Sequence, residues 1–275
     1  MEMLVEAQVE VDGRTVRLPK ELPGTGCAGG FAFGLYKAGS TLLLNAIERV
    51  TKASSAKAVN VLRIFHDSGV FLEAASPSES LSQALETWLG LDGILFFGWR
   101  GFPVNYHLPL RPGSRTFLLI RDPRDMIVSH YFSIKYSHTT AGLGVDHVLR
   151  ERQRLQTIDI DSWAMTQIRR IKREFLRYEA LNGTALKVCR YEDVILDKVK
   201  LLDDLCSQFG LDVSQADKKR IALAIDRRPE REDIYAHIRQ VVPGDHRRKL
   251  KPSTIELLNH GLADILCKYD YALEP

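Results

Sequence analysis

The sequence predicts an α/β protein: a P-loop-like, mostly parallel central sheet with helices on both faces, plus an N-terminal β-hairpin. Three observations carry this. Short apolar runs alternate with helical patterns along most of the chain, the signature of β-α-β units and a parallel sheet. Phe31–Tyr36 runs into the small-residue turn Lys37-Ala38-Gly39-Ser40-Thr41, and a helical pattern follows at once. Leu4–Leu18 alternates around Asp12-Gly13, a dipeptide that favours a two-residue hairpin turn.

Taken in order, the Leu4–Leu18 hairpin is expected as an appended edge element within residues 1–22. Pro23–Gly30, rich in glycine, reads as a linker into the first core strand, Gly30–Tyr36. Further strands are expected at Ala56–Phe65, Gly93–Phe97, Arg115–Ile120 and Ala185–Arg190. Helices are expected at Thr41–Lys52, Ser78–Trp88, Asp125–Tyr136, Ser162–Leu181, Lys198–Phe209, Gln215–Ile225 and Ser253–Lys268. The apolar stripe Trp163, Ile168, Ile171, Phe175, Tyr178 faces a core, with Arg169, Arg170, Lys172 and Arg173 on its solvated side. Arg227–Asp245 is polar and without periodicity, so residues 227–250 read as a loop covering a ligand. Residues 1–275 form one domain on this reading, and ligands of such sheets bind at the carboxyl ends of the strands.

Composition narrows the function. Of 275 residues, 45% are hydrophobic and 27% charged, ordinary for a globular protein with a substantial core. A net charge of +3 is too small to argue for nucleic acid. Cys27, Cys189, Cys206 and Cys267 are scattered and lack the close pairs of a zinc site, so no metal is expected. The N-terminus has no signal-peptide pattern and no apolar run is long enough to span a bilayer, so a cytoplasmic location is expected.

The chemistry starts at the loop after Phe31–Tyr36. A strand, a tight turn and a helix start hold phosphate on backbone N–H groups. An NTPase loop reads G-x-x-x-x-G-K-[ST]. Here Lys37 precedes Gly39 by two positions, and Ser40-Thr41 follow it, so the loop is not of the ATP type.

A second strand, Phe117–Ile120, leads into Arg121-Asp-Pro-Arg-Asp125-Met-Ile-Val128-Ser129-His-Tyr131. Pro123 suits a helix start, Asp125 can serve as its N-cap, and Arg121 and Ser129 can reach one anion. Read together, the two motifs resemble those of the PAPS-dependent sulfotransferases. Tyr36–Leu42 is similar to Y-P-K-[ST]-G-T-[TS]-W, and Arg121–Tyr131 to R-[ND]-P-[RK]-D-x-x-[VA]-S-x-Y. Ile238–Arg247 resembles R-K-G-x-x-G-D-W-[KR] through Arg239, Gly244, Asp245 and Arg247, and Tyr191-Glu192-Asp193 resembles the family's Y-E-D segment. The four matches come in the family's order from about residue 30 to the C-terminus.

The resemblance implies 3′-phosphoadenosine 5′-phosphosulfate (PAPS) as cofactor, with PAP as product and no metal. Lys37, Ala38, Gly39, Ser40, Thr41 and Leu42 would hold the 5′-phosphosulfate, with Lys37 placing charge where the leaving group develops it. Arg121 and Ser129 would bind the 3′-phosphate, Arg239, Gly244 and Asp245 would clamp it from the other side, and Tyr191 would lie near the adenine. Asn105-Tyr-His107-Leu-Pro109 resembles K-[ST]-H-L-P, which makes His107 the expected base. His66 or a carboxylate such as Asp67 is the alternative.

Three departures mark a divergent branch of bacterial type. Leu42 stands where the family has an adenine-stacking tryptophan, Asn105 where it has lysine, and His246 where it has tryptophan. The reaction implied is in-line sulfonyl transfer to a hydroxyl or amine. The acceptor stays open among small-molecule, lipid, carbohydrate and carrier-bound compounds. A P-loop small-molecule or nucleoside kinase, or a catalytically inactive PAP-binding module, is the alternative reading.

Overall fold

The computed structural model describes residues 6–19, 28–72, 78–138 and 145–273. Cys27 and most of the expected linker lie outside them. Strands β1 (Glu6–Val11) and β2 (Arg14–Pro19) pair antiparallel through a turn in which Asp12 and Gly13 both have positive φ, the conformation of a type I′ turn. They form a ribbon of their own, not an edge of the main sheet. Val9, Val11, Val16 and Leu18 are buried beneath it. Trp88 Nε1 donates to Pro19 O at 2.8 Å and fastens the ribbon to the domain.

The domain then runs β3 (Gly30–Gly34), α1 (Ser40–Ser54), β4 (Lys57–Asn60), α2 (Val61–Asp67), α3 (Glu79–Leu89), β5 (Ile94–Phe97), β6 (Arg115–Ile120) and α4 (Pro123–Phe132). A π-helical turn, Ser133–Ser137, follows α4 directly. Next come α5 (Val145–Arg154), α6 (Ile160–Arg177) with a 3-10 turn to Leu181, β7 (Ala185–Arg190), α7 (Tyr191–Val194), α8 (Lys198–Phe209), α9 (Gln215–Ile225), α10 (Asp245–Lys249), α11 (Pro252–Gly261) and α12 (Ala263–Lys268). The strand order is β4-β5-β3-β6-β7, and each adjacent pair is parallel. Alternate residues of the strands feed two cores. Phe31, Phe33, Phe96, Leu118 and Ile120 belong to one, and Ala32, Leu95, Phe97, Phe117 and Leu119 to the other. Among the described residues no helix is long and apolar enough to cross a membrane.

The structure corrects several boundaries. The expected strand Ala56–Phe65 ends at Asn60, whose side chain accepts from Arg63 N and caps α2. An N-cap inside an apolar run ends the strand and starts a helix. Asp125 is not the cap of α4: Asp122 is, accepting from Arg124 N at 2.9 Å, with Pro123 in the first turn. The expected helix Ser253–Lys268 is two helices, and the expected loop 227–250 contains α10.

The carboxyl ends of β5, β3, β6 and β7 stand in a row and present Arg100, Lys37, Arg121 and Tyr191 in that order. Leu35 N bonds to Leu119 O, and Gly34 N to Trp99 O, so the loops stay in step beyond the strands. The start of α4 is held by Arg124, which is 1% exposed. Its guanidinium grips Asp122 through Nε (3.0 Å) and one Nη (2.7 Å), and reaches Asn259 Oδ1 (2.6 Å) and Ala272 O (2.8 Å) on the C-terminal segment.

Truncating Arg124 strands a buried carboxylate, which costs roughly 3–5 kcal/mol. Arg124→Ala is expected to lower the melting temperature by about 6 °C or more, and Arg124→Ala with Asp122→Ala to recover part of it. Calorimetry of the single and double variants checks this.

Candidate active site

The site begins with backbone geometry. Lys37 and Gly39 both have positive φ, 68° and 95°. Gly39 precedes α1, and no side chain caps that helix start, which leaves first-turn N–H groups without the usual side-chain acceptor. A Cβ on Gly39 would meet the Tyr191 ring at 2.7 Å. The loop therefore rests on Tyr191, and only glycine fits both its dihedral and that contact. The Arg121 guanidinium lies over the Tyr191 ring, 4.7 Å from ring centroid to Cζ.

Arg121 is buried and gives one Nη to Asp125 Oδ2 at 3.2 Å, while its Nε is buried with no partner. Asp125 is fully buried. It also accepts from Gly244 N and His246 N, both at 2.9 Å, and lies 2.7 Å from His246 Nδ1. Burial pushes this carboxyl up, but the His246 hydrogen bonds and the Arg121 charge outweigh it and hold it well below the usual carboxylate range. Arg239 is paired with Glu232 and Asp245 and lies over the Phe132 ring at 4.3 Å.

Lys37 donates from Nζ to Ser133 Oγ at 2.5 Å. Its pKa is lowered to about 7 by burial, then by the neighbouring charges of Arg100 and Arg121. His237 Nε2 lies 3.4 Å from Thr41 Oγ1. Its pKa is also lowered, by burial first and then by Lys37, Arg100 and His138.

These groups surround one cavity of about 490 Å³. Of the residues expected from sequence, Lys37, Gly39, Ser40, Thr41, Leu42, Arg121, Ser129, Tyr191 and Arg239 line it. No carboxylate lines it among the described residues.

Four expected residues are placed elsewhere. Ala38 is fully buried, and its N–H is spent on Leu35 O, so it spaces the loop. Gly244 and Asp245 are braces: Gly244 N points at Asp125, and the buried Asp245 carboxylate holds Arg239 and Arg248. His107 lies outside the cavity, its side chain 70% exposed and 3.3 Å from Glu86. The anchoring of Asn105 on Leu72 O and of Tyr106 under Trp99 Nε1 turns the next residue outward. His66 is likewise exposed, beside Asp67 on α2.

Sequence reasoning missed Arg100, Ser133, His138, Lys198 and His237, all of which line the cavity. Arg100 follows a strand's carboxyl end, the signal that found Arg121; the others have no local pattern.

The lowered Lys37 carries a testable consequence. Between pH 7 and about 10 the unfolded chain holds a proton that folded Lys37 has lost, so this residue makes stability rise with pH. Lys37→Met is expected to raise the melting temperature of the ligand-free protein at pH 6–7, with the gain shrinking towards pH 10. Calorimetry across that range checks it.

No family model matches the sequence, and no curated protein matches it. Solved structures do. The mouse sulfotransferase SULT7A1, complexed with PAP, is similar over 96% of this chain and 95% of its own, with a TM-score of 0.55 and 13% identity. Retinol dehydratase, in complex with androsterone and the inactive cofactor PAP, covers 96% and 90% with a TM-score of 0.52 and 12% identity. At these identities the likeness is one of architecture, and the chain carries the sulfotransferase fold.

Proposed function

We propose that the chain is a sulfotransferase that moves the sulfonyl group of PAPS to a hydroxyl or amine of an acceptor. One observation carries the reading: the displaced-lysine loop and Arg121, Ser129 and Arg239 converge on a single cavity. The residues fit the cofactor. The start of α1 after Gly39 has no side-chain cap, and Arg121 keeps a buried Nε without a partner. Lys37 and the Gly39–Leu42 amides would hold the 5′-phosphosulfate. Arg121 and Ser129 would hold the 3′-phosphate, with Arg239 reaching it from the covering loop. Tyr191 and the aliphatic walls Leu42, Ile195 and Ile225 would meet the adenine. Gly244 and Asp245 act through Asp125 and Arg239.

Bound PAPS supplies an activated sulfonyl group and a PAP leaving group. Lys37 meets the anionic loop ligand by taking up a proton at Nζ, so its charge is restored where negative charge develops. His237, kept neutral by its surroundings, turns Nε2 to Thr41 and leaves Nδ1 to take the acceptor's proton. On this reading the base stands in the covering loop, not at His107.

The first test is a thermal shift with PAP against ATP plus Mg²⁺. A ligand at 100 times its Kd stabilises by about 2.7 kcal/mol, a shift of several degrees. A shift with PAP that Arg121→Ala abolishes is expected; a shift with ATP–Mg²⁺ alone would overturn the reading. At pH 8 calorimetry in buffers of different ionisation enthalpy should show proton uptake on PAP binding, lost in Lys37→Met. His237→Ala is expected to slow sulfonyl transfer by about 10²–10⁴-fold, with His107→Ala near wild type; the reverse order would return the base to His107.

A further inference from the structure

We infer that the acceptor carries an oxyanion, a carboxylate or a phosphate, near the group that is sulfonated, and that Arg100 binds it. The inference rests on the sulfotransferase reading and concerns its open question, the acceptor.

It starts from the order of the strand ends. Arg100 follows β5, the phosphate loop follows β3, Arg121 follows β6 and Tyr191 follows β7, in adjacent positions of one parallel sheet. Neighbouring strands lie about 4.8 Å apart. Strand β5 is thus about 10 Å from β6, on the far side of the loop from Arg121. The nucleotide lies towards β6 and β7 on the proposed reading. The side towards β5 is where an acceptor approaches the sulfonyl group.

Arg100 is exposed, lines the cavity, and makes no hydrogen bond or ion pair with the described residues. It lies close enough to Lys37 and His237 to lower the pKa of both. An unpaired guanidinium beside a lysine whose charge is already disfavoured makes a positive site that an anion complements. The cofactor's two anionic ends already have Lys37 with the loop amides, and Arg121 with Ser129 and Arg239. A planar fork of donors such as Arg100 matches a carboxylate or phosphate bidentately. An oxyanion there also offsets the charge that lowers Lys37, so acceptor binding helps charge the lysine before transfer.

The test uses the full chain saturated with PAP and three matched pairs of probes: phenol and 4-hydroxybenzoate, glucose and glucuronate, glycerol and glycerol 3-phosphate. Thermal shift and calorimetry read the binding of each. The acid member of at least one pair is expected to bind about tenfold or more tightly than its neutral partner, and the carboxylate and phosphate pairs tell the two anions apart. Arg100→Met should remove that preference and Arg100→Lys keep part of it, with PAP still binding to both variants. No acid preference in any pair, or a preference that survives in Arg100→Met, would overturn the inference. Absence of any PAP shift in the wild type would instead sink the sulfotransferase reading and is read separately.

Discussion

The cavity depends on one buried carboxylate. Taking a carboxylate out of water costs several kcal/mol unless the surroundings replace its hydration. Asp125 is wholly enclosed, and it is matched by the Arg121 guanidinium, two backbone N–H groups and the His246 imidazole. Those partners come from different parts of the chain. Arg121 ends β6, Gly244 closes the covering loop, and His246 belongs to α10. Satisfying Asp125 therefore draws the loop across the strand ends. It also fixes Arg121 with one Nη engaged and Nε unspent, and it sets α10 where Asp245 can hold Arg239 over Phe132.

The cavity so formed is cationic and lined by no described carboxylate. Lys198 is neutralised by Asp226, and Arg239 by Glu232 and Asp245. Lys37, Arg100 and Arg227 are not so paired. Burial first, and then the charges of Arg100 and Arg121, lower Lys37 to about 7. The protein holds a lysine at the edge of losing its proton, and an anionic ligand shifts that balance.

Much of the fold was legible because periodicity reports burial directly. Helices α8 and α9 fall at their expected bounds, and four core strands lie at or within a few residues of theirs. The failures are local contests. Asn60 caps a helix inside an apolar run, and Asp122 outcompetes Asp125 as a cap because Asp125 has long-range donors. Helices α7 and α10 have four and five residues, too short for a periodic signal. Of the site, the contiguous motifs around Lys37 and Arg121 were readable. The motif around His107 says nothing of the Asn105 and Tyr106 contacts beside which that side chain faces solvent, outside the cavity.

By itself the sequence determined the α/β class, the tight strand-to-helix loop with its displaced lysine, and the strand-end arginine with its serine one turn along a helix. These are properties of neighbouring residues, set by local sterics and helix spacing. Tertiary structure decided which residues share the cavity. It moved Gly244 and Asp245 from contact to support, brought His237 to Thr41 across 196 positions of sequence, and stood Arg100 on the opposite side of the loop from Arg121. The physical reason is that charge and hydrogen-bond partners act through space, and the strand order β4-β5-β3-β6-β7 is what sets those distances.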